Sequence, residues 1–86
     1  MASYAVEVKS PAQKELEALP DNVLSRIVTK LETLAETPRP PGCKKLKGYK
    51  DHWRLRVGDW RVVYIIDDAE KIVSVTRIAH RREVYD

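Results

Sequence analysis

The chain has 86 residues, with 16 Lys and Arg against 13 Asp and Glu, a net charge of +3 and a pI near 9.1. That length holds one domain, 1–86, and a content of 43% hydrophobic with 34% charged residues excludes a disordered chain. No apolar run nears the roughly 20 residues that span a bilayer, the first residues lack a signal peptide's apolar stretch, and the lone Cys43 excludes an internal disulfide. His52 and His80 alone give no zinc spacing, so neither metal nor cofactor is expected, and the expected compartment is the reducing cytoplasm.

Tyr4 to Val8 alternates and reads as a first strand. Ser10-Pro11 opens a helix, with Ser as the favoured cap and Pro in the first turn, and Ala12, Leu16 and Leu19 share one face. Pro20-Asp21 ends that helix and starts another. There Val23, Leu24, Ile27, Val28, Leu31, Leu34 and Ala35 make an apolar stripe of helical period. The prolines of Thr37 to Gly42 remove donors and fix φ, which makes a rigid connector. From His52 the period becomes two: Trp53 to Val57 is a strand, Gly58-Asp59 a two-residue turn, and Trp60 to Asp67 the returning strand. After an acidic turn at Asp67 to Glu70, Lys71 to His80 is a fourth strand. The order β-α-α-β-β-β predicts an α+β fold, an antiparallel twisted sheet with a two-helix hairpin packed on one face.

The charge is segregated. Residues 1–43 carry five positives against six negatives, a balance of −1, whereas 44–61 carry seven positives against two negatives, a balance of +5. Residues 62–70 contribute −3 and the remainder +2. The two-residue turn fixes the hairpin register, pairing Val57 with Trp60, Arg56 with Arg61, Leu55 with Val62 and Arg54 with Val63. Trp53, Leu55, Val57, Trp60, Val62, Tyr64 and Ile66 then form the core face, and Arg54, Arg56 and Arg61 stand on the opposite, open face. Like charges directly across a strand pair repel. Two readings stand side by side: the side chains splay into water, or an anion relieves them, for which arginine's planar fork suits phosphate. Further on, Arg77, Ala79 and Arg81 share one side of the last strand and His80 the other, with Tyr85 exposed beyond it.

This arrangement resembles the RelE/ParE superfamily of toxin–antitoxin toxins, and within it the RelE-like mRNA interferase branch. The likeness rests on Lys44-Lys45-Leu46-Lys47-Gly48, Trp53-Arg54-Leu55-Arg56-Val57, Trp60-Arg61-Val62-Val63-Tyr64 and His80-Arg81-Arg82-Glu83-Val84-Tyr85, and it covers nearly the whole chain. It implies a metal-independent endoribonuclease that cuts mRNA in the ribosomal A site, through attack of the ribose 2′-OH on the phosphodiester. It also implies a cognate antitoxin that masks the arginines in a hetero-oligomer, aided by a greasy groove beside the helical hairpin. Residue by residue, it assigns the catalytic set Arg54, Arg56, Arg61, Arg81 and Tyr85. Arg56, Arg61 and Arg81 would neutralise the phosphorane, while Tyr85 stacks on a base. Lys44, Lys45, Lys47 and Lys50 would bind ribosomal RNA.

The departure concerns the base. Members carrying lysine on the Arg54–Arg56 strand have a group that can accept a proton, and arginine cannot. His52, which shares parity with Arg54, and His80, by intrinsic pKa, are the candidates for proton transfer, with Tyr85 as phenolate, water or the RNA as other routes. The expected chemistry is therefore charge stabilisation with a weak or absent base. So short a chain is expected to lack a substrate pocket of its own, the ribosome supplying the rest. Ending at Asp86, it is also expected to lack a C-terminal helix for the antitoxin to displace. The competing readings are a ParE-like gyrase inhibitor of the same fold and an RNA-binding module that cuts nothing.

Overall fold

The apolar spacing of the first half builds helices and the alternation of the second half builds a sheet. A computed structural model describes residues 3–48 and 50–82. It runs β1 (Ala5–Val8), α1 (Ser10–Glu17), α2 (Asp21–Leu34), β2 (Lys44–Lys45), β3 (His52–Val57), β4 (Trp60–Asp67) and β5 (Ile72–His80). Among the described residues, no helix is long and apolar enough to cross a membrane. Both helices start without a side-chain cap. Ser10, expected as the cap of α1, is instead its first helical residue, and Lys9 takes the cap position in extended conformation. Pro11 fits the first turn because its missing N–H has no intrahelical acceptor there.

The sheet has the order β1-β5-β4-β3-β2. Its register across β3 and β4 is the one the turn dictates, from Val57 opposite Trp60 to Arg54 opposite Val63. Leu55, Val57, Val62, Tyr64 and Ile66 therefore meet Ile27, Leu31 and Leu34 of α2 in one core, which Val73, Val75 and Ile78 complete.

Two expectations are corrected, and a third feature was not anticipated. The sheet is mixed, because β1 runs parallel to β5, from Ala5 beside Ile72 to Val8 beside Val75. The helical hairpin carries the chain from that edge to the far one, a crossover of the kind parallel neighbours need. The lysine stretch supplies a fifth strand, β2, whose two exposed residues pair Lys44 with Arg54 and Lys45 with Trp53. Finally, β5 is bulged: Val63 pairs with Arg77 and Tyr64 with Val75, leaving Thr76 unpaired, its hydroxyl donating to the Val63 carbonyl at 3.3 Å. The bulge lets Val73 and Val75, odd in number, share the core with Ile78, even in number.

Two polar clasps hold the pieces that frame the basic end of the sheet. β1 covers β5 only as far as Val75, and α1 takes over beyond it. Glu15 of α1 accepts the Ile78 backbone N–H at 2.8 Å and Arg77 Nε at 3.0 Å, which satisfies the open strand edge. On the other side, Arg39 of the proline connector donates to both oxygens of Asp68, at 2.9 and 3.3 Å. Its guanidinium also lies 5.0 Å from the centre of the Trp53 ring, and Tyr4 Oη donates to Asp68 at 2.7 Å. Arg39 first, and Tyr4 second, hold the Asp68 carboxyl down at about 2. Tyr64 Oη, deep in the core, donates to the Pro38 carbonyl at 2.9 Å, and burial pushes its own pKa up. The connector is thus tied at both Pro38 and Arg39.

Two tests follow from these clasps. Replacing Glu15 by Ala is expected to lower unfolding free energy by about 2 kcal/mol, the scale of a charge-assisted hydrogen bond, as a lower urea midpoint at unchanged slope. An unchanged midpoint would remove Glu15 from the account. Because the Asp68 pKa is depressed in the fold, its stabilisation is present above the ordinary carboxylate pKa and is lost as pH falls through about 2. The stability difference between the native chain and Asp68→Asn should therefore shrink between pH 4 and 2, by circular dichroism, and a difference constant over that window would contradict the pairing.

Candidate functional site

Directly paired residues lie on one face of a sheet, so the register brings Lys44, Arg54, Arg56 and Arg61 together as two neighbouring like-charge pairs on β2, β3 and β4. The face is not the open one expected. Arg54 and Arg61 are only 8% and 7% exposed, and Val63 and Ala79 beside them are also buried, while Arg56 is exposed. Nor does the chain lack a pocket. Among the described residues β2 pairs only with Trp53 and Arg54, and along the β3 edge beyond them the chain forms a cleft of about 710 Å³. Its walls are Arg54, Arg56 and Arg61 of the sheet, Lys44 and Pro41-Gly42 from the connector side, Lys30 of α2, and the Gly58-Asp59 turn. Asp59 is the one carboxylate among these lining residues.

The turn gathers four arginines, three from β3, β4 and the end of β5, and Arg26 from α2. Arg56 Nε and Arg61 Nη1 each donate to the Gly58 carbonyl at 3.4 Å, and Arg61 Nη1 reaches the Trp60 carbonyl at 3.2 Å. These carbonyl dipoles offset part of the repulsion between the paired cations. Arg81 joins from the end of β5: its N–H donates to the Asp59 carbonyl at 2.8 Å, and its Nη1 lies 3.6 Å from the Asp59 carboxylate. Gly58 adopts φ +60°, a backbone that favours glycine, and the end of the Arg26 side chain lies against it, 3.0 Å from where a Cβ would stand.

The remaining expected residues are placed as follows. His52 Nδ1 lies 2.7 Å from the Lys50 carbonyl, which can only accept, so Nδ1 donates there. His80 lies on the Trp60 side, its ring edge-on to that indole at 5.4 Å, and its Nδ1 accepts the Arg82 N–H at 3.3 Å. Lys44, Lys45 and Lys47 line a smaller hollow of about 250 Å³ with Arg54, and Lys50 is exposed nearby. Tyr85 lies outside the described residues. Among the described residues, no three His, Cys, Asp or Glu side chains come together as a metal site. Lys30 was not legible as a site residue, although Arg26 and Lys30, four apart on α2, flank the apolar stripe on one side.

Comparison with known proteins bears on what such a cleft serves. The family described as the ParE toxin of the type II toxin–antitoxin system parDE matches residues 6–85. A Methanocaldococcus jannaschii protein carrying the toxin name RelE1 is 31% identical over 85 residues, 95% of this chain and 94% of its own. The fold is similar to the toxin–antitoxin complex RelBE2 of Mycobacterium tuberculosis, with a TM-score of 0.81 at 28% identity over 92% of this chain and 99% of that one. It is likewise similar to the archaeal RelE–RelB complex of Pyrococcus horikoshii, with a TM-score of 0.83 at 26% identity over 95% and 99%. Matches that run over almost the whole chain, in sequence and in fold, show that it belongs to the RelE/ParE superfamily of type II toxin–antitoxin toxins.

Proposed function

We propose that this toxin is an endoribonuclease that cuts mRNA in the ribosomal A site and so halts translation. The observation that carries the reading is the convergence of Arg56, Arg61 and Arg81 on the Gly58-Asp59 turn, beside a cleft lined by five cations and one carboxylate. In the reaction the 2′-oxygen forms a bond to phosphorus and the bond to the 5′-oxygen breaks. The 2′ proton leaves, the 5′-oxygen gains one, and the products are a 2′,3′-cyclic phosphate and a 5′-OH. Negative charge builds on the phosphorane oxygens, where the three guanidiniums neutralise it without reorganising. Arg54 and Lys44 extend the positive wall along the strand. The motif gives Tyr85 the stacking role.

Arginine does not accept the 2′ proton. His52, on the Arg54 side of β3, is better placed for it than His80, whose Nδ1 accepts the Arg82 N–H and whose ring stands edge-on to Trp60. Charge stabilisation remains the main term, and the ribosome orders the codon. The partner is an antitoxin that covers the basic cleft, a reading supported by the RelBE2 and RelE–RelB complexes of the relatives. The family description names a ParE toxin, so gyrase inhibition is the second reading.

Arg81 is exposed, so its truncation tests the site with little risk to the fold. In ribosomes programmed with a defined codon, Arg81→Ala and Arg61→Ala are each expected to slow cleavage by about 100-fold or more, with circular dichroism unchanged for Arg81→Ala. Cleavage at the native rate in both variants would move the site elsewhere.

A further inference from the structure

The cleft is longer than one phosphate needs. Arg56 and Arg61 gather at Gly58, whereas Lys44 stands opposite Arg54. Same-face residues two apart on a strand are separated by about 7 Å, of the order of one extended nucleotide step. On the helix side, Arg26 abuts Gly58, and Lys30 lies one turn, about 6 Å, further along α2, where it lines the cleft. Arg26 and Lys30 therefore run along the cleft away from the turn. Among the lining residues the apolar surface is slight, with Leu55 and Pro41 its larger members. A protein segment is better suited to the apolar groove of Val6, Val8, Leu16, Val28, Leu31 and Ala35, where Val28 is 37% exposed.

We propose that Lys30 and Lys44 form a second phosphate subsite, which takes the RNA phosphodiester next to the one held by Arg56, Arg61 and Arg81; this rests on the nucleolytic reading above. The ammonium groups act as point charges that hold the backbone without selecting a base. They fix the strand's register, so that the scissile phosphate arrives at the turn. Lys30 is thus a positioning residue contributed by the helical layer to a site otherwise built on strands.

The probe is a short single-stranded oligomer of 2′-deoxynucleotides, which has the phosphates but no attacking hydroxyl, so binding is read without cleavage. Affinity is measured by anisotropy against salt for the full chain and for Lys30→Gln, Lys44→Gln and the double variant. The logarithmic salt slope should flatten by about 0.7 for each lysine removed and by about 1.4 for both, since each phosphate contact releases counterions. Lys30→Arg should restore the slope, and Lys14→Gln, on α1, should leave it at the native value. Native slopes in both single variants overturn the subsite, as does an absence of affinity in the unsubstituted protein. So does a Lys30→Gln variant that loses affinity for an acidic peptide while keeping its oligomer slope, which assigns the lysine to a protein partner. Cleavage by the unsubstituted chain on programmed ribosomes is scored separately. Native slopes with intact cleavage reject the subsite alone, and flattened slopes without cleavage reject the nucleolytic reading alone.

Discussion

Two like-charge pairs, Lys44 opposite Arg54 and Arg56 opposite Arg61, lie side by side on one face of the sheet, and the two-residue turn at Gly58-Asp59 holds them there. Each such pair opposes folding by a few tenths of a kcal/mol to about 1 kcal/mol. The same register buries Leu55, Val57, Val62 and Tyr64 against the helices. A slip by one residue would turn the arginines into the core and those side chains into water, so the core enforces the cation cluster. Stability and site are thus two faces of a single strand pairing. Gly58 is the position on which both depend, because its left-handed φ makes the turn.

The other devices of the fold bring remote pieces to that turn. The bulge at Thr76 changes the parity of β5, so that Ile78 stays in the core while Ala79 lies opposite Arg61. Arg81 then follows at the turn, where it meets Asp59. Glu15 secures the edge of β5 just before this point, and the Arg39–Asp68 pair secures the connector whose next residues, Pro41 and Gly42, line the cleft. What results is a cationic wall along the edge of β3. Such a wall stabilises charge well and moves protons poorly.

Much of this was legible in the sequence because a two-residue turn leaves one register, and alternation from Trp53 to Ile66 says which side is buried. The β1 direction was not legible. A four-residue strand pairs equally well either way, and the path of the helices decides. β2 was hidden because two adjacent lysines carry no alternation; their pairing comes from Arg54 and Trp53 opposite. The bulge did leave a trace, in the change from odd apolar positions at Val73 and Val75 to the even Ile78. Burial of Arg54 and Arg61 was out of reach, since burial of a charged side chain is set by what tertiary packing lays over it. Lys30 escaped notice for a similar reason: helical spacing placed it beside Arg26, but only the packing of α2 along β3 put both at the cleft.

The arginine-lined turn is proposed to break RNA on the ribosome. Mapping 5′ ends across the transcriptome shortly after the chain is induced tests it most directly, with a translation-blocked message as the internal control. The account predicts new 5′-OH ends within codons of translated messages and none on the untranslated control. Intact messages, with arrested growth and inhibited supercoiling, would contradict it and leave the fold serving a protein target.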